Sequence, residues 1–284
     1  MAELRKPLGL ACSAGGALGA WQAAALLELE KDGLEFDRVL GASAGALNAA
    51  GYALGLGAEL VERWKTVDAS MLRFSPRFFP FSLCSAEPLR AALSFCSDDA
   101  ANRGRLRRPL VIATARVDRK RRDYAHFEPG EGGRWDGDLL RHLVTSCAIP
   151  YVFPTADLGL DGWRGRSFDG FVPCEEPFRF EGLEGCRDIV VLEPVRPDEL
   201  DRKTTGIFDE IELGCRKTIR MLTSQGIAGK RAADPEVRVF RLSPSRVLPF
   251  SMLGFKRENI ESALALGRGD ASAFLADPRR CVAA

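Results

Sequence analysis

FDRVLGASAGALNAAGYAL, residues 36–54, decides how this chain is built. Its first part, Phe36 to Ala42, ends in an apolar run that reads as a buried β-strand. Ala44 to Leu54 reads as a helix of small residues. Between them sits Ser43, inside Gly41-Ala42-Ser43-Ala44-Gly45, a GxSxG at a strand-to-helix junction. That context gives the pattern its chemical meaning, because a serine on so sharp a turn has a strained backbone and tolerates only small neighbours. The helix that follows also points its positive end at the serine, which favours negative charge there.

The same order occurs upstream. Leu8 to Cys12 reads as a strand, Ser13 to Gly19 (SAGGALG) as a glycine loop, and Gly19 to Lys31 as a helix. Downstream, strands are expected at Pro109 to Val117, Tyr124 to Phe127, Ile189 to Leu192 and Val237 to Leu242. Helices are expected at Ala58 to Val67, Ala86 to Phe95, Gly137 to Cys147, Thr205 to about Ala233, and Glu258 to Leu275. Arg164 to Phe168 leads into a turn at Asp169-Gly170. Strands alternating with helices indicate an α/β fold with a mainly parallel sheet covered on both faces. No linker or repeat divides the chain. A single domain over 5–284 is expected, with a core of about 7–195 and the elements of 203–284 packed on it.

Composition excludes some functions. Of 284 residues, 40 are Lys or Arg and 39 are Asp or Glu, so no net field recruits nucleic acid. The eight cysteines show no metal-site spacing and read as free thiols. No metal or cofactor is called for. Val39 to Ala58 carries no charge, but its glycines, with Ser43 and Asn48, argue against a membrane span. The first residues show no export signal, so a cytoplasmic location, with peripheral membrane contact allowed, is the default expectation. The oligomeric state is not legible.

The glycine loop admits two readings. As a dinucleotide loop it offers Gly16 and Gly19, but Ala14 replaces the first glycine and no acidic residue ends the next strand. As an oxyanion hole it offers the backbone N–H groups of Gly15, Gly16 and Ala17 to the oxygen that turns negative when Ser43 attacks a carbonyl. A serine nucleophile also needs a base, and the chain has two histidines, His126 and His142. Neither follows Asp169, so the Ser, acid, His order of ordinary α/β-hydrolases is not met.

Four motifs in register now carry a resemblance: SAGGALG at 13–19, GASAG at 41–45, SCAIPYVFP at 146–154 and FDG at 168–170. With RRPLVIATARVD at 107–118 and LGFKRENIESALALGRGDASAFL at 253–275, they resemble patatin-like phospholipases over nearly the whole chain. The resemblance implies a three-layer α/β/α domain and a Ser-Asp dyad. Ser43 would be the nucleophile and Asp169 the general base. Gly15, Gly16 and Ala17 would hold the oxyanion, supported by Gly19, Gly41, Gly45 and Gly170. A lipid carboxylic ester (phospholipid, lysophospholipid or acylglycerol) would be cleaved through an acyl-serine.

Two positions depart from the family pattern: Leu18 stands where Arg or Lys is usual, and Phe171 follows Asp169-Gly170. They motivate the alternative of a weak or silent lipid-binding relative, with Phe171 expected to reshape the pocket. A hydrolase using His126 or His142 is a further alternative. Met71, Leu72, Phe74, Phe78, Phe79, Phe81 and Leu83, with Arg73 and Arg77, read as an irregular piece of core rather than a lid or membrane contact. Arg119 to Arg122 reads as a solvated hairpin turn.

Overall fold

The computed structural model describes residues 4–158 and 165–281. A central sheet runs in the order β10-β9-β1-β2-β5-β8-β7. Its parallel part joins β1 (Leu8–Cys12), β2 (Arg38–Ala42), β5 (Leu110–Arg116), β9 (Asp188–Leu192) and β10 (Arg238–Leu242). β6 (Arg122–Phe127), β7 (Ala156–Asp157) and β8 (Arg166–Asp169) join antiparallel. The residues of β1, β5 and β9 are all buried, as expected of strands covered on both faces.

Register shows what covers each face. Ala11 lies opposite Leu40 and Val191, and these three line a small interior cavity with Phe171, Phe178, Phe180 and Thr223. Thr223 belongs to α7 (Ile207–Ala233), so α7 covers this face. Side chains alternate along a strand, so Gly41 points the other way. A Cβ there would lie 2.6 Å from Ala46 of α2 (Ala44–Ala53). Against α2 pack α1 (Gly19–Lys31), α3 (Gly57–Thr66) and α6 (Leu139–Ser146), and α8 (Arg257–Ala276) lies along α1. Two short helices, α4 (Glu87–Ala92) and α5 (Asp99–Arg105), complete the set.

The chain is thus a single-domain α/β fold with a mainly parallel sheet between helices. β10 extends that sheet through β9, so the C-terminal residues are part of it rather than only packed on it. Residues 282–284 of the expected span lie outside the described residues.

Three expectations are corrected. Residues 71–83 are not an irregular piece of core. Phe74–Phe78 and Phe81–Cys84 form an antiparallel hairpin, β3 and β4, whose large side chains face outward. Pro76 lacks an N–H, and the pairing register shifts between Phe74 and Arg77, as proline requires on a strand. Second, the approach to the turn is itself a strand, Arg166–Asp169, held against β5 by pairing that local sequence does not announce, and the turn begins at Gly170. Arg164 itself lies outside the described residues. Third, the helix expected over Ala86 to Phe95 is shorter, with α4 ending at Ala92.

Candidate active site

Ser43 caps the N-terminus of α2 with φ 55° and ψ −135°, a positive-φ conformation unusual for a residue with a Cβ. Its neighbours explain how the turn closes. A Cβ on Gly45 would lie 2.3 Å from the Cys12 carbonyl oxygen and 2.5 Å from that of Ser13. The turn at Ser43 can therefore touch the end of β1 only with glycine at 45. Ser43 N–H donates to Ser146 Oγ at 2.9 Å, and Ser146 Oγ donates onward to the Ala113 carbonyl at 2.8 Å. Ser146 falls in SCAIPYVFP, yet its role was missed. Its partners lie 103 and 33 residues away, and only the motif's presence hinted at it.

Asp169, the last residue of β8, is buried beside the Ser43 hydroxyl, which favours its ionised form. It accepts the Phe171 N–H at 2.8 Å. Burial raises its carboxyl from an ordinary 3.8 to about 6, and the nearby Ser43 hydroxyl and the Phe171 N–H oppose the rise. At neutral pH it is therefore mainly ionised and more basic than a free aspartate. Gly170 permits this placement, since a Cβ there would meet the Ala113 carbonyl oxygen at 2.3 Å.

The segment after Asp169 is clamped by Arg122. Its guanidinium donates to the carbonyls of Gly170 at 3.1 Å, Val172 at 2.6 Å and Glu176 at 2.8 Å. The expected solvated basic turn is thus corrected at one position: Arg122 is buried. A charge run in sequence does not show which member turns inward.

The glycine loop reaches Ser43 through a polar network. Gln22 Nε2 donates to the carbonyls of Ser13 and Leu192 at 2.7 and 2.8 Å. Asn48 Nδ2 donates to the Gly19 carbonyl at 2.8 Å and to Gln22 Oε1 at 3.0 Å, and Trp64 Nε1 donates to Asn48 Oδ1 at 3.0 Å. α1, α2 and α3 thereby hold the loop and the turn at Ser43 in one frame. Gly16 has φ +54°, and a Cβ there would lie 2.2 Å from the Met252 carbonyl oxygen.

That carbonyl corrects one expectation. Ala17 N–H donates to Met252 O at 2.7 Å and is not free to bind an oxyanion. Among the described residues, the N–H groups of Gly15 and Gly16 donate to no protein group. Met252 is fixed in turn by Glu212 of α7, which accepts Met252 N–H at 2.8 Å and Ser251 Oγ at 2.9 Å. Leu18 is fully buried, so this strap of residues 250–252 lies against the loop beside a residue with no charge to anchor it.

Ser43 and Gly16 open into a narrow apolar cavity of about 80 Å³, walled by residues such as Leu47, Trp64, Leu93 and Phe153. Phe171 is not among its walls. It turns to the opposite side of the sheet, with its ring centroid 4.9 Å from that of Phe178. The expectation that it reshapes the pocket is therefore corrected. Neither histidine lines the cavity. His142 is buried at 2.7 Å from the Asp136 carbonyl, and burial lowers its pKa. His126 Nε2 lies 3.9 Å from Glu181. Among the described residues no helix is long and apolar enough to cross a membrane.

Known proteins can now be compared with this geometry. VipD from Legionella pneumophila has a similar structure, with 12% identity and a TM-score of 0.54 over 96% of this chain and 67% of that one. ExoU of Pseudomonas aeruginosa, solved with SpcU, gives 16% identity and a TM-score of 0.43 over 99% of this chain and 53% of that one. The chain thus spans about two thirds of VipD and half of ExoU. No curated protein sequence matches. A family model described as patatin-like phospholipase matches residues 10–181. That match contains the glycine loop, the turn at Ser43 and the Asp169 strand in their chain order, and covers more than half of the molecule, so the chain belongs to the patatin-like phospholipase family.

Proposed function

We propose that the protein is a serine acyl hydrolase that cleaves lipid carboxylic esters with Ser43 as nucleophile and Asp169 as its base. One observation carries the reading: a buried carboxylate, that of Asp169, lies beside the hydroxyl of Ser43, which lines an apolar cavity. Membership in a lipid-hydrolase family supports it.

Ser43 Oγ attacks the ester carbonyl while the Asp169 carboxylate takes its proton. The carbonyl oxygen becomes an oxyanion, held by the N–H groups of Gly15 and Gly16, each worth ~3–4 kcal/mol in such a role. Collapse expels the alcohol, which takes the proton from Asp169 and leaves the acyl group on Ser43. Water then gives its proton to Asp169 and attacks the acyl-serine. The acid departs and the proton returns to Ser43. The acyl chain occupies the apolar cavity, and the positive end of α2 adds to the field that favours the oxyanion.

Labelling with a fluorophosphonate probe tests this. Wild type should be modified, Ser43→Ala spared, and Asp169→Asn folded but without turnover on a lipid ester. A folded wild type that neither labels nor hydrolyses any lipid ester would overturn the reading.

A further inference from the structure

The hairpin of β3 and β4 is the largest apolar feature the proposed chemistry does not use. Phe78 is 98% exposed, Phe79 84%, Phe74 71%, and Phe81 and Leu83 about half. Five large apolar side chains on one short hairpin exceed the scattered exposure normal for a protein surface. Tyr151, 64% exposed, joins them, its ring centroid 6.3 Å from that of Phe81.

Backbone pairing makes the group one body. Leu83 N–H donates to the Tyr151 carbonyl at 2.9 Å and Cys84 N–H to that of Val152 at 2.8 Å. The body stands beside the cavity of Ser43. Met71, just before β3, lines that cavity, and so do Ile149 and Phe153 on either side of Tyr151. Charge adds direction. No acidic residue lies between Asp68 and Glu87, while Arg73 and Arg77 are exposed and form no ion pair among the described residues.

We propose that this hairpin inserts into an anionic lipid bilayer, with Phe78 and Phe79 entering the headgroup and acyl boundary and Arg77 facing the lipid phosphates, so that the cavity of Ser43 opens onto the membrane. Two features favour a bilayer over a protein groove. Aromatic and arginine side chains without acidic neighbours match an anionic interface. Continuity between the hairpin base and the cavity wall also gives a lipid chain a short path to Ser43. The proposal deepens the reading of this site as a lipid hydrolase, but binding can be measured without catalysis.

The test is co-sedimentation with phosphatidylcholine vesicles, with and without phosphatidylserine, alongside hydrolysis of a soluble short-chain ester. Wild type and Ser43→Ala should bind the mixed vesicles equally. The double variant Phe78→Ser, Phe79→Ser should lose roughly tenfold or more in partitioning. Arg77→Gln should lose severalfold on anionic vesicles and little on neutral ones. Both surface variants should hydrolyse the soluble ester at the wild-type rate. Failure of wild type to bind vesicles, or equal binding by the double variant, overturns the proposal. Loss of self-association in the double variant with vesicle binding unchanged overturns it too, in favour of a second copy of the chain. A wild type that binds vesicles through the hairpin yet hydrolyses nothing would count against the proposed chemistry and for the docking surface.

Discussion

Ser43 and Asp169 meet because β2 and β8 share one edge of β5. Ala42, the last residue of β2, lies opposite Ala113, and Asp169 lies opposite the next residue, Thr114. β6 occupies the other edge of β5 over the same stretch, so β8 continues where β2 stops. A serine immediately after Ala42 therefore arrives beside a carboxylate contributed 126 positions later in the chain.

The first prediction concerns pH. Asp169 must be ionised to act as base, and burial raises its carboxyl to about 6. kcat/KM should then fall about tenfold per pH unit below about 6. The effect on stability has the opposite sense. Between about 4 and 6 the native carboxyl keeps a proton that the unfolded one has lost, so this group destabilises the fold as pH rises through that window. Asp169→Asn removes the buried charge and can still accept the Phe171 N–H. It should be inactive and more stable at neutral pH by on the order of 2 kcal/mol, measured by urea denaturation.

Backbone strain at Ser43 gives a second test. Its φ of 55° is available to glycine without steric cost. Ser43→Gly and Ser43→Ala should both be inactive, but the glycine variant should be more stable by about 1 kcal/mol, visible as a higher Tm.

Arg122 gives a third. Its guanidinium satisfies three carbonyls just beyond Asp169. Arg122→Met leaves them unpaired and should cost about 2–4 kcal/mol of stability. Arg122→Lys keeps the charge but loses the fork geometry. Because Arg122 positions rather than reacts, this variant should stay folded and label with fluorophosphonate more slowly, with an unchanged pH profile.

The strap offers a fourth. Glu212→Ala removes the acceptor of Met252 N–H and Ser251 Oγ, and with it the hold on the carbonyl that binds Ala17. A looser glycine loop should lower kcat by about tenfold with little change in KM, at a stability cost of about 1–2 kcal/mol.

Local elements were legible before any coordinates. The run LGLAC, the junction at Ser43 and the long periodic stretch of α7 each carry their signal within a few residues. The same holds for the absence of a histidine after Asp169. Three features resisted. The strand ending at Asp169 is short and shows as a strand only against β5. The β3–β4 hairpin contains two prolines, which argue against a strand in sequence but are tolerated on an unpaired edge. Phe171 looked close to the chemistry because it is close in the chain, yet the turn that follows β8 at Gly170 sends it to the other face.

By itself the sequence determined the alternation of strands and helices, the strand-to-helix junction that carries Ser43, and the family, because periodicity, turn glycines and short motifs are written within a few residues. Tertiary structure decided which groups serve Ser43. Asp169 reaches it through the shared edge of β5, Ser146 holds its backbone, and Met252 removes Ala17 from the available donors. These contacts join residues a hundred or more positions apart, and no local propensity encodes them. They follow from the way an open, mainly parallel sheet brings strand ends together.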